Sequence, residues 1–296
     1  CRLPIVERAP VQVLTETRKS AVYRVALEGP LRSVIVKRYS ASLGDAERVM
    51  YESVLPELSI RTLRFFGSRE EGESTWLVLE DVGDEPPASD SATRASATSL
   101  VASLHLEGLR FRSPVALPRR GTEHFAARLS GARHFLQERL ERDDLDARSR
   151  SVLELAVARC DLLAGRFPEI ELLTRWFPET IVHGDLEAEN VRVVHAGDAA
   201  ILVPLDWEKS GWGCPALDLA LADCDAYFAA TREWLGATAE EFALLAVVGR
   251  IFRVLTHAWA TKPAHKVARY DRRLALLMEE AGWNSRVAAT LKSSPA

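Results

Sequence analysis

Val182-His183-Gly184-Asp185-Leu186-Glu187-Ala188-Glu189-Asn190-Val191, completed further on by Leu205-Asp206-Trp207, decides how the rest of this chain is read. The stretch has the form H-G-D-x-x-x-x-N, with a second aspartate after a short hairpin. Val191-Arg192-Val193-Val194 reads as a β-branched strand, His195-Ala196-Gly197-Asp198-Ala199 as a turn, and Ile201-Leu202-Val203-Pro204-Leu205 as a second apolar strand. Folding the hairpin about its Gly-Asp turn sets the residue before the first strand across from the residue after the second. Asn190 is therefore predicted beside Asp206, with Asp185 one loop away. An amide oxygen, a carboxylate and a second carboxylate at one strand end suit Mg²⁺, a hard ion usually held by one or two carboxylates plus substrate phosphates. The remaining aspartate is then available to orient a hydroxyl and accept its proton. Each residue alone fits a solvated Asp/Asn-rich loop; the ordered set argues against that reading.

Composition narrows the classes. With 47% apolar and 27% charged residues over 296 positions, the chain has material for one large domain or two lobes and is globular rather than disordered. A net charge of −4 and a pI near 6.0 argue against a nucleic-acid binder held by phosphate contacts. Cys1, Cys160, Cys214 and Cys224 show neither CxxC pairing nor metal-ligand spacing, so reduced thiols are expected. No apolar run reaches the length of a membrane span and no leader pattern is visible, which makes a cytoplasmic protein without a membrane partner the expectation. P-loop, H-E-x-x-H, G-x-S-x-G and dinucleotide-binding patterns are all missing from the sequence.

The H-G-D-x-x-x-x-N and L-D-W motifs resemble the catalytic core of aminoglycoside phosphotransferases and choline kinase-like enzymes. That family has a protein-kinase-like fold of α+β class. It is two-lobed, with an N-terminal antiparallel sheet carrying one helix and a larger, mainly helical C-terminal lobe. The resemblance implies Asp185 as catalytic base, Asn190 and Asp206 as Mg²⁺ ligands, and His183 as a structural residue of the loop. It also implies ATP or GTP as phosphoryl donor and a small hydroxylated molecule as acceptor.

Upstream, Val11-Gln12-Val13-Leu14, Ala21-Val22-Tyr23-Arg24-Val25-Ala26-Leu27 and Ser33-Val34-Ile35-Val36-Lys37-Arg38-Tyr39 read as strands. Ile35 and Lys37 share a face by the two-residue period. A lysine there is usually a solvated strand end. By resemblance to the V-A-I-K pattern, Lys37 holds the nucleotide phosphates and Ile35 covers the base. The polar turn Thr15-Glu16-Thr17-Arg18-Lys19-Ser20 stands where a phosphate-covering loop belongs, yet it contains no glycine. Ser20 is its candidate contact. Residues 45–55 are predicted as one short helix capped by Asp45 or Ser42. Glu47 shares its face with Met50, Tyr51 and Val54, and a carboxylate on an apolar face needs a partner. Lys37 is the candidate partner; Glu52 points elsewhere on the helix.

Phe65-Phe66-Gly67-Ser68 and Thr75-Trp76-Leu77-Val78-Leu79 flank a turn and make another hairpin. Glu80-Asp81-Val82-Gly83-Asp84 then precedes Pro86-Pro87 and a Ser/Ala-rich stretch. This composition shift marks an expected boundary between lobes 1–82 and 83–296. In the resembling family the segment is a hinge whose main chain pairs with the purine edge, which assigns those contacts to Glu80 and Val82. Beyond it the pattern is helical from Ala92, with His105 read as a packed histidine. Amphipathic helices are expected at 123–141 and 146–165, split at Arg142-Asp143-Asp144, then at roughly 216–235, 239–260 and 264–281, the last preceded by Pro263.

Few residues separate Asp206 from Asp218 and no A-P-E follows, which disfavours protein substrates. Gly211-Trp212-Gly213-Cys214-Pro215-Ala216-Leu217-Asp218-Leu219-Ala220 resembles the G…D-L-A segment of small-molecule phosphotransferases, where Asp218 would brace the catalytic loop; charge complementarity at a helix start is the other reading. For the acceptor, Glu187, Glu189 and Asp223 are candidate carboxylates for a polyamine, which favours an aminoglycoside or related antibiotic, in resistance or self-protection. Trp207 and Trp212 offer an aromatic cage for a choline-like cation instead, although Trp207 reads better as core. The competing class is a catalytically inactive nucleotide-binding protein of the same fold, either monomeric or a homodimer like the enzyme itself.

Overall fold

The computed structural model describes residues 10–112, 115–142, 144–197, 199–259 and 264–283. Cys1, Asp143, Asp198 and Pro263, used in the sequence reading, lie outside the described residues. The chain divides into two compact units. One runs to Pro118 and takes up His183–Gly211; the other comprises Arg119–Val182 and the chain from Trp212 onward. The boundary expected between residues 82 and 83 falls inside the first unit.

The first unit is built on five antiparallel strands in the order β1-β2-β3-β5-β4. They are β1 (Val11–Glu16), β2 (Ser20–Ala26), β3 (Ser33–Ser40), β4 (Phe65–Glu71) and β5 (Ser74–Glu80). Thr75, Leu77 and Leu79 on β5 are buried at every second position, as a sheet with one covered face requires. β3 departs from strict alternation by burying Val34, Lys37 and Tyr39. Its covering segment is not the single helix expected at 45–55. Helix α1 (Ala46–Val49) runs into a π-type turn over Met50–Val54 and a 3-10 turn over Leu55–Glu57. Neither Asp45 nor Ser42 caps α1: the Asp45 backbone lies outside the extended conformation an N-cap uses, and its carboxylate pairs with Arg48 at 2.8 Å instead. The wider π turn still buries Met50, Tyr51 and Val54 against the sheet, with the Tyr51 ring stacked on Phe65.

Within the same unit, α2 (Ser91–Arg110) starts from Asp90, whose side chain accepts the Thr93 N–H at 2.7 Å. His105 on α2 is fully buried. The hairpin β8 (Val191–Ala196) and β9 (Ala199–Pro204) pairs Val191 with Pro204, and Leu205 N–H donates to Asn190 O at 2.8 Å. Asn190 therefore lies opposite Leu205, one residue short of the register anticipated for Asp206.

The second unit is mainly helical: α3 (Thr122–Leu140), α4 (Ala147–Gly165), α5 (Phe167–Trp176), α6 (Cys224–Leu235), α7 (Ala239–Trp259) and α8 (Ala264–Glu280). Phe125 and Phe252 bring α3 and α7 to a ring separation of 4.5 Å, and Arg159 of α4 meets Asp271 of α8 at 2.6 Å in a largely buried pair. A small sheet of β6 (Arg119–Arg120), β10 (Gly211–Gly213) and β7 (Thr180–Val182) leads through β7 into the His183 loop. The helix expected from residue 216 is replaced by a 3-10 turn over Pro215–Asp218. The helix proper starts at Cys224, where Asp223 accepts the Ala226 N–H at 2.9 Å. No helix among the described residues is long and apolar enough to cross a membrane.

Candidate active site

A cleft of about 560 Å³ opens in the first unit. Val22, Ile35, Leu63, Leu79 and Leu205 give it an apolar wall; Lys37, Glu47, Asn190, Asp206 and Glu208 bring charge and oxygen donors. Ser20, Val22 and Arg24 line it from one face of β2, and Ile35 with Lys37 from β3, by the two-residue period of a strand.

Lys37 is the centre of the first charge cluster. Its Nζ lies 2.6 Å from Glu47 Oε2 and 2.6 Å from Asp206 Oδ1. Burial works against the ammonium, but the two carboxylates more than offset it, and the Lys37 pKa is raised. Burial also pushes the Glu47 carboxyl up, opposed by Lys37. Asp206 reaches Lys37 from a left-handed backbone, φ 61 and ψ 65, the one non-glycine residue with positive φ among the described residues. Such a conformation costs of order 1–3 kcal/mol and persists where the surroundings impose it. Here the constraints are visible. His183 Nε2 donates to Leu205 O at 2.7 Å, and the buried His183 ring lies 4.6 Å from Trp207. His183 and Trp207 are both fully buried, and a fully buried Trp207 offers no wall for a ligand cage.

The second cluster centres on Asp185. Its Oδ2 receives Lys209 Nζ at 2.6 Å and Asn190 Nδ2 at 3.2 Å, while Asn190 Nδ2 also donates to Asp185 O at 2.8 Å. The 3-10 turn Trp207–Lys209 carries this lysine against Gly184. Gly184 has φ +79, and a Cβ on it would stand 2.2 Å from the Lys209 carbonyl oxygen. Only glycine admits that approach.

In the segment expected to be a hinge, Arg24 grips Asp81 at 2.6 Å and Asp84 at 2.8 Å, with Ser33 Oγ donating to Asp81 at 2.6 Å. Burial raises the Asp81 pKa, but the bonds from Arg24 and Ser33 prevail and hold it below the usual carboxylate value. Glu80 turns its carboxylate to Arg61, 2.7 Å from both oxygens, and its N–H donates to Arg64 O at 2.8 Å. Val82 N–H donates to no group among the described residues. In the expected phosphate-covering turn, Thr17 Oγ1 accepts Ser20 N–H at 3.0 Å.

The remaining candidates are spread out. Glu189 lines the nucleotide-sized cleft. Glu187 precedes the 3-10 turn Ala188–Asn190 and accepts the Asn190 N–H on its carbonyl at 2.9 Å. Asp218, fully buried, and Asp223, capping α6, belong to the second unit. Sequence reasoning missed Arg24, Glu208 and Lys209. Arg24 was reachable from its alternation with Ser20 and Val22. Glu208 and Lys209 directly follow the L-D-W motif, where the reading stopped. Burial raises the Glu208 pKa, helped by Asp206.

Asn190, Asp206 and Glu208 supply oxygen donors to one cleft, which fits a hard cation such as Mg²⁺. Among the described residues no three His, Cys, Asp or Glu side chains form a ready-made metal cage. An ion shared with substrate phosphates needs none.

A lysine shared by two carboxylates and an aspartate–asparagine loop thus stand near an apolar slot. Residues 11–275 match the phosphotransferase enzyme family (APH), and the chain belongs to that family; it is a small-molecule kinase. None of the curated proteins matches it in sequence. Among solved structures it is similar to a microcompartment-associated aminopropanol kinase (15% identity, 97% of this chain and 95% of that one, TM-score 0.64). It is also similar to choline kinase from Cryptosporidium parvum Iowa II (13% identity, 96% and 91%, TM-score 0.61). A third is a spectinomycin phosphotransferase in complex with ADP and spectinomycin (10% identity, 93% of each chain, TM-score 0.54). At these identities the likeness shows the fold, which is protein-kinase-like.

Proposed function

We propose that the protein moves the γ-phosphoryl group of ATP or GTP to a hydroxyl of an amine-bearing small molecule, with an aminoglycoside or related antibiotic as the first acceptor class to test. The observation that carries the reading is the meeting of Lys37 with Glu47 and Asp206 in one cleft that Asn190 also lines, with the Asn190 side chain meeting Asp185. In this mechanism Lys37, braced by Glu47, holds the nucleotide phosphates. Ile35 covers the purine, Ser20 meets the phosphates from the covering turn, and the main chain at Glu80 and Val82 reads the purine edge. Asp185 aligns the acceptor hydroxyl and receives its proton; His183 and Asp218 support the loop. Asn190 and Asp206, with Glu208, would hold Mg²⁺, which offsets charge on the phosphate oxygens when bound. Alignment of the reactants can supply on the order of 7–11 kcal/mol, against about 10²–10⁴-fold from proton transfer. Positioning therefore dominates. Residues 1–82 would form the nucleotide lobe and 83–296 the acceptor lobe of a cytoplasmic monomer or homodimer.

A smaller amino alcohol, as in a choline kinase-like metabolite kinase, is the second reading. It is favoured by where two of the candidate amine-binding acids lie: Asp223 caps its own helix and Glu189 lines the nucleotide cleft. The test is phosphoryl transfer from labelled ATP and GTP with Mg²⁺ across aminoglycosides, other hydroxylated antibiotics, choline-like amines and sugars. Asp185→Asn should lose most turnover and keep its nucleotide affinity. A variant that retains most of its kcat removes Asp185 from the role of base.

A further inference from the structure

The geometry points to Lys209 as a second phosphoryl-facing lysine, one that holds Asp185 in the resting site and shares its ammonium with the γ-phosphoryl group during transfer. The inference rests on the phosphotransfer reading above and adds a residue to it. Lys209 Nζ lies 2.6 Å from Asp185 Oδ2, on the same oxygen that Asn190 Nδ2 meets at 3.2 Å. Its side chain is 30% exposed and that of Asp185 14%, so the contact is no solvated surface pair. The backbone fixes it as well. Lys209 closes the 3-10 turn that starts from the left-handed Asp206, and its carbonyl presses on Gly184, the neighbour of Asp185. One short turn therefore sends Asp206 to Lys37 and Lys209 to Asp185.

The charge balance gives the second lysine its task. Glu47, Asp185, Asp206 and Glu208 are four carboxyl groups, and Lys37 is already shared by two of them. An arriving γ-phosphoryl group brings further negative charge beside Asp185. In the transfer the acceptor oxygen bonds to Pγ, the bond from Pγ to the bridging oxygen breaks, ADP leaves, and the hydroxyl proton passes to Asp185. Negative charge spreads over the three equatorial oxygens of the moving group. By this proposal the ammonium, anchored on Asp185 at 2.6 Å, turns about its last bonds to bridge the carboxylate and those oxygens. It transfers nothing. Removing a single preorganised donor of this kind costs about 10²–10³-fold in turnover.

Lys209→Ala and Lys209→Arg are compared with the wild type for ATP hydrolysis and for binding of Mg²⁺-ADP with and without aluminium fluoride, which mimics the phosphoryl group in flight. The wild type is expected to bind ADP more tightly once aluminium fluoride is added. Lys209→Ala should keep its ADP affinity, lose that gain, and fall in turnover by about 10²–10³-fold; Lys209→Arg should recover part of both. If Lys209→Ala keeps the full gain, or loses ADP affinity by the same factor, the lysine is structural and the inference fails. If the wild type binds ADP but gains nothing from aluminium fluoride, the inference fails while the nucleotide site stands. If the wild type binds no ADP, the phosphotransfer reading itself fails.

Discussion

Gly184→Ala is the substitution that most directly tests how the catalytic loop is built. A non-glycine residue at φ +79 pays about 1–2 kcal/mol for the left-handed backbone. The new methyl group would stand 2.2 Å from Lys209 O and 3.0 Å from Lys209 C. Ordinary heavy-atom contacts lie near about 3.5 Å, so the 207–209 turn must retreat by more than about 1 Å. Overpacking of this kind adds about 1–3 kcal/mol. A combined loss near about 3 kcal/mol lowers Tm by about 6–12 °C for a chain of this size. The same retreat draws Lys209 from Asp185 and disturbs Asp206, and a misplacement of about 1 Å can cost about 10²-fold in rate. Gly197→Ala is the control: its φ is +62 but nothing stands within 4 Å of the added carbon, so it should lose only the backbone cost and keep its turnover. Thermal unfolding and ATP turnover of the two variants decide the matter. A Gly184→Ala protein as stable as the Gly197→Ala control, with turnover intact, would refute the claim that Gly184 and Lys209 must interlock.

Two further outcomes are expected. Glu47→Gln keeps the shape of the side chain but removes the charge that meets Lys37; hydrogen bonds to charged groups are worth about 1.5–3 kcal/mol, so nucleotide affinity should fall by about 10–100-fold in calorimetry, and unchanged affinity would show that Lys37 is held by Asp206 alone. Arg24→Ala should lower stability at pH 7 by about 1–3 kcal/mol, because the buried Asp81 loses its charged donor. The folded Asp81 pKa is depressed, so its stabilisation is present above the ordinary carboxylate value of about 3.9 and is lost as pH falls through the lowered value. The stability gap between wild type and Arg24→Ala in denaturant titrations should therefore close below about pH 4. A gap that persists unchanged at pH 3 would show that Arg24 acts by packing.

The parts legible in the sequence were those governed by local rules. The strand period placed Ile35 and Lys37 on one face, and the apolar runs on either side gave the hairpin that follows Asn190, although the strands extend to Ala196 and Ala199, into the stretch read as a turn. Elements whose ends depend on what they pack against were less legible. Residues 45–55 have an apolar face at helical spacing, yet the backbone widens into a π turn at Met50, where Tyr51 is stacked on Phe65. The apolar run after residue 215 looks helical, but there the chain is a 3-10 turn whose Ala216 carbonyl would touch a Cβ on Gly249 of α7, and the helix waits for the Asp223 cap.

What the sequence determined by itself was the order and type of the reacting groups: an aspartate, an asparagine after four residues, a hairpin, a second aspartate, and far upstream a lysine on an apolar strand. These follow from spacing and backbone period, which a chain carries wherever it folds. Which cation meets which carboxylate was decided only by the tertiary structure. Lys37 and Asp206 stand 169 positions apart and touch at 2.6 Å. Lys209 finds Asp185 because a left-handed residue and a bare glycine let two loops interlock. Long side chains on flexible stems have many partners within reach, and packing, not sequence distance, selects among them.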